Sequence, residues 1–92
     1  MVTMTKTEQR QIGPAARRIA KWVQASIAKG DGMYATDADV WDRICEYAIE
    51  AVPETLENKA ERNMWANEVK MDWYDEVSDQ AWGIVRPGQP TP

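Results

Sequence analysis

The chain has 92 residues, 43% of them hydrophobic, which is enough for one core and too little for two. It contains no histidine, so the commonest general base, metal ligand and pH switch are all missing. Its net charge of −4 hides two unlike parts: residues 1–29 hold six bases against Glu8 alone, a net +5, and residues 30–92 hold five bases against fourteen acids, a net −9.

Thr5 and Glu8 stand at capping-box spacing, so a short helical turn is expected near the start. Gly13-Pro14 is expected to interrupt it, with Pro14 as the first residue of a new helix. Ala16, Ile19, Ala20, Val23 and Ile27 then recur at helical spacing, and Arg17, Arg18 and Lys21 fall on the opposite side. Gly30 is the expected left-handed cap of this amphipathic helix. Met33-Tyr34-Ala35 reads as a brief extended stretch or loop. Thr36 and Asp39 form a second capping box, opening a helix with Val40, Ile44, Tyr47, Ala48 and Ala51 on one face and Trp41, Cys45 and Val52 beside it.

Pro53 permits a third helix, with Glu54 and Glu57 in its first turn. The helical pattern runs to about Trp82 and closes at Gly83; its length makes a break between Asn63 and Asn67 the alternative. Leu56, Ala60, Met64, Met71, Tyr74 and Ala81 share one face, and Trp65, Val69, Trp73 and Val77 a second. Arg86-Pro-Gly-Gln-Pro-Thr-Pro92 suits neither helix nor central strand. The expected fold is therefore all-α: a small three- to four-helix bundle forming one domain over residues 1–85, with a flexible Pro-rich tail at 86–92. The packing has to use five Trp and three Tyr with no Phe, rings whose polar atoms need partners.

Chemistry-bearing motifs are sparse. Cys45 is the one thiol, set in the apolar pattern of its helix with no histidine to activate it, and reads as a buried small hydrophobe. A lone cysteine excludes a disulfide framework and suits a reducing compartment. No apolar run approaches the ~18 residues of a membrane span. The opening Met1-Val-Thr-Met-Thr-Lys6 has no apolar segment of the kind a secretion signal needs. A cytoplasmic protein is expected. Asp37-Ala-Asp39-Val-Trp-Asp42 departs from a calcium loop at its fifth and sixth positions, and clustered Asp72, Asp75 and Glu76 are a very weak magnesium signal. No cofactor, no metal and no catalytic centre are expected. The acids of the second long helix also oppose its entry into a DNA groove, which argues against a helix-turn-helix reader.

The phasing of acids after Pro53 is the most informative feature. At 100° per residue Glu54, Glu57, Glu61, Glu68, Asp72, Asp75 and Asp79 fall in one strip about 60° wide. On an unbroken helix that strip would run roughly 38 Å. Its like pairs at i,i+4 each cost about 0.2–0.5 kcal/mol, and a local rule broken without compensation is a place to look for function. Trp65 and Trp73 lie beside the strip, and Trp is prominent among residues that dominate interfaces.

Three functions are expected in turn. The first is a non-enzymatic protein-binding inhibitor or adaptor that presents this acidic, nucleic-acid-like face, with Trp65 and Trp73, to a basic nucleic-acid-handling target. In small size, lack of motifs and acidic face the chain resembles, in character and without any defining motif, phage-encoded inhibitors of host defence of the anti-restriction and anti-CRISPR kind. The second is direct nucleic-acid contact through Arg10, Arg17, Arg18, Lys21 and Lys29. The third is a homodimer or higher homo-oligomer, an antitoxin-like adaptor, joined through Trp65, Val69, Trp73 and Val77.

Overall fold

The computed structural model describes residues 3–92; Met1 and Val2, the start of the segment weighed as a secretion signal, lie outside them. The described residues form α1 (Lys6–Arg10), α2 (Ile12–Ala28), a 3-10 turn (Gly32–Tyr34), α3 (Asp37–Ala51), α4 (Glu54–Arg62) and α5 (Met64–Val85), with no strand among them. The fold is all-α, a small helical bundle elongated to 44 × 21 × 20 Å.

One hydrophobic core joins the helices. Ile12, Ala16, Ile19, Ala20 and Val23 of α2 meet Val40, Ile44 and Ala48 of α3 and Trp73, Val77, Ala81 and Val85 of α5, with Leu56 closing from α4. Alanines at the contact faces of α2 and α3 leave room for the one large ring that is fully enclosed, Trp73. The helix starts obey local chemistry. Thr5 accepts from the Glu8 amide at 3.1 Å while the Glu8 carboxylate accepts from the Thr5 amide at 2.8 Å, and Thr36 and Asp39 repeat the arrangement at 3.1 and 3.2 Å. At the end of α2, Gly30 takes φ +76° so that its amide bonds to Ile27 and the next amide, of Asp31, bonds to Ser26. That pair closes the helix as a Schellman motif.

Five expectations are corrected. Gly13-Pro14 does not interrupt the chain: α2 begins at Ile12 and carries both inside its first turn, where an amide has no intrahelical partner and a proline loses nothing. Residues 32–34 are a 3-10 turn and not extended, because the Asp31 side chain accepts from the Met33 amide at 2.9 Å and tightens the backbone there.

The segment 54–82 is two helices. Asn63, at φ −151° and ψ 121°, is extended; its amide still bonds to Lys59 and ends α4, while its side-chain oxygen accepts from the Trp65 amide at 2.9 Å and starts α5. Asparagine is among the best N-cap residues, and here the cap overrides helical continuity. The bend sets α4 against α5, as the ion pair between Lys70 and Glu57 at 3.0 Å requires.

Gly83 does not close α5, which runs on to Val85 and stops before Pro87. The chain beyond α5 is not a free tail from residue 86: Arg86 bonds to Asp37 at 3.0 Å, Gly88 turns the chain at φ +76°, and the Trp82 indole donates to the Gln89 carbonyl at 2.9 Å. A buried indole whose N–H needs an acceptor holds this turn.

Candidate functional site

The seven carboxylates of the expected ridge separate at Asn63. Glu54 and Glu61 are exposed on α4, and Glu57 is tied to Lys70 between α4 and α5. Glu68, Asp72, Asp75 and Asp79 remain together on α5, all exposed. At 100° per residue these four lie within about 60° of one another, directly opposite the side that carries Trp73, Val77 and Ala81 into the core. Among the described residues none of the four has a cationic group within 4.0 Å. Four like charges over about 16 Å of helix therefore face solvent uncompensated.

The aromatic residues expected beside the strip part company. Trp65, 62% exposed, and Met64, 76% exposed, stand on the first turn of α5, with Met71 two turns beyond Met64 on the same side of the helix. Trp73 is not a surface anchor: it has no exposed surface, and its indole N–H donates to the Glu8 carbonyl at 2.8 Å. The expected self-contact face falls with it. Val77 is fully buried and Val69 packs against the core, because α2 and α3 cover the side of α5 that the sequence pattern left open.

The basic group is arranged differently. Arg10, Arg17, Arg18, Lys21 and Lys29 are all exposed, and among the described residues none lies within 4.0 Å of a carboxylate. The acids of α5 are thus not neutralised by the cations of α2. Trp22, half exposed, sits among them and meets Tyr47 edge-on at 5.6 Å between centroids.

Glu8 is the residue whose importance the sequence conceals. It is 2% exposed and joins three helices. One carboxylate oxygen caps α1 through the Thr5 amide; the other accepts from the Thr55 hydroxyl at 2.5 Å; Lys59 Nζ lies 3.3 Å from both. Burial pushes its carboxyl pKa up, but the bonds from Thr55, Thr5 and Lys59 together outweigh burial and hold it below the usual carboxylate value. On the far side of the core, burial and the neighbouring Cys45 raise the Tyr74 phenol to about 12. Glu8 thus holds helices together, and Tyr74 packs against the core.

Among the described residues no three carboxylates or thiols, those of 37–42 and 72–76 included, are grouped so that they could hold a metal ion. No helix among them is long and apolar enough to cross a membrane. No protein-family model matches the chain, and neither a curated protein nor a solved structure matches it.

Proposed function

We propose that this chain is a small helical binding protein, not an enzyme, that docks the outer face of α5 on a basic partner. Glu68, Asp72, Asp75 and Asp79 supply the charge, and Trp65 with Met64 forms an apolar anchor at the amino-terminal end of the strip. The observation that carries this is the strip itself: four exposed carboxylates with no cation within 4.0 Å among the described residues, on the side of α5 turned away from the core. Repulsion within the strip weakens the free helix, and a basic partner relieves it. An exposed tryptophan at the edge of a charged strip has the composition of an interface hot spot with its rim.

A nucleic-acid-handling target held off its substrate is the form this takes if the likeness to anti-restriction and anti-CRISPR inhibitors extends to function. Charge density argues for recognition as a protein surface and against mimicry of a duplex. DNA shows one charge per ~1.7 Å of axis, and this strip about one per 4–5 Å. A lone thiol fits the reducing cytoplasm as the place of action.

The test is affinity capture from the native host with the wild-type chain and with Glu68→Lys/Asp72→Lys/Asp75→Lys. A partner retained by the first, lost by the second and eluted by salt supports the reading; a partner retained equally by both removes it.

Direct nucleic-acid contact is the second reading, favoured by the exposed cations of α2, which have no carboxylate within 4.0 Å among the described residues, with Trp22 exposed among them. Binding to DNA or RNA that falls steeply between two salt concentrations and vanishes in Arg17→Glu/Arg18→Glu would establish it.

A further inference from the structure

On the side of the bundle away from the α5 strip, α1 and α2 meet the corner between α3 and α4 around a cleft of about 370 Å³. Arg10 and Arg18 line it, and no carboxylate does. Among the described residues neither guanidinium has an acid within 4.0 Å, and the side chains of Thr7 and Gln11, which also line the cleft, make no hydrogen bond within the chain. Pro14, Ala15 and Pro53 give the remaining wall its apolar character. A concave place that gathers two unpaired guanidiniums, a hydroxyl and a carboxamide is chemically a receptor for an oxyanion.

A second cleft, of about 240 Å³, adjoins the first and shares Arg18 and Ala51 with it. Its character is different: Trp22 and Tyr47, in edge-to-face contact, line it together with Glu50. Passing Arg18, the groove changes from cationic to aromatic.

We propose that the two clefts together bind a small phosphorylated aromatic compound, its phosphate held between Arg10 and Arg18 and its ring against Trp22 and Tyr47. A phosphate monoester carries nearly two negative charges at neutral pH and offers three acceptor oxygens, enough for two guanidiniums with the Thr7 hydroxyl. The exposed indole gives the ring a stacking surface worth having in water, and the size of the groove falls in the range of small-molecule sites. Glu50 repels a second phosphate at the aromatic end, which favours a monoester over a polyphosphate, and it accepts from an exocyclic amine if the ring bears one. None of these residues belongs to the α5 strip, so the two sites stand or fall separately.

The experiment tracks backbone amide and indole NMR signals of the full chain during titration with inorganic phosphate, phenyl phosphate and adenosine monophosphate. Saturable shifts are expected at Thr7, Gln11, Arg18 and the Trp22 indole, with phenyl phosphate binding at least about tenfold more tightly than inorganic phosphate. Arg10→Gln/Arg18→Gln weakens both by about tenfold or more, and Trp22→Ala abolishes the difference between them. Adenosine monophosphate binding more tightly than phenyl phosphate assigns the site to nucleotides; equal binding assigns it to aryl phosphates generally, and either result upholds the inference. It is overturned by the absence of saturable shifts, by binding that survives in a folded Arg10→Gln/Arg18→Gln chain, or by equal affinity for inorganic and phenyl phosphate. Tighter binding of a single-stranded oligonucleotide than of any monoester overturns it too, and returns these cations to nucleic-acid contact.

Discussion

The indole nitrogen of Trp73 donates to the backbone carbonyl of Glu8 at 2.8 Å, joining the largest enclosed ring of α5 to the first turn of the chain. The same residue 8 spends its carboxylate on Thr55 and Lys59 of α4. The short α1 is thereby fixed to both arms of the bend at Asn63, and the bend decides which acids share a face.

Trp73→Phe keeps most of the ring and removes the donor, so the buried Glu8 carbonyl keeps only its longer bond from the Gln11 amide at 3.3 Å. The expected loss is about 2–4 kcal/mol, read as a lower urea midpoint at unchanged slope. An effect on partner binding with stability unchanged would instead put Trp73 at the surface.

Glu8 makes stability depend on acid pH with a definite sign. Its pKa in the folded chain lies below the ordinary carboxylate value of about 4.3. Its contribution is therefore fully present above that value and is lost as pH falls through the folded pKa. Urea midpoints measured from about pH 6 down to 3 should fall more steeply for the wild type than for Glu8→Gln. Parallel curves would show that the carboxylate is not held as described.

Asn63→Ala removes the side-chain acceptor that starts α5. A cost of about 1 kcal/mol is expected, the usual value of a lost N-cap. Helix content by circular dichroism should stay the same, since the packing of α4 on α5 through Leu56, Ala66 and the Glu57–Lys70 pair keeps the bend.

Asp72→Lys turns two like pairs on α5, with Glu68 and Glu76, into attractive ones. Thermal or urea unfolding should show a gain of about 1 kcal/mol that shrinks in high salt. A site kept acidic at the expense of stability is what a binding role predicts.

Much of the architecture is legible in the residues. The apolar periods of α2 and α3, both capping boxes and Gly30 are local signals, and the structure realises each. Asn63 marks the bend, but the packing of α4 on α5 holds it, and that condition is tertiary and invisible along the chain. Trp65 and Trp73 look alike in sequence, eight residues apart. Which of them is buried depends on where α2 and α3 fall against α5. Glu8 reads as a cap because its partner Thr5 is three residues away, whereas Thr55 and Lys59 are joined to it only by the fold. The Arg10–Arg18 cleft likewise needs Ala51 and Pro53 from the α3–α4 corner to become concave.

The most direct measurement compares the affinity of a captured partner for three chains: wild type, Glu68→Lys/Asp72→Lys/Asp75→Lys, and Arg17→Glu/Arg18→Glu. If the outer face of α5 is the docking surface, the first and third bind alike, and the second loses at least about a hundredfold while its helix content is unchanged. Full binding by the acid-reversed chain, or its loss in the arginine-reversed one alone, would contradict the account.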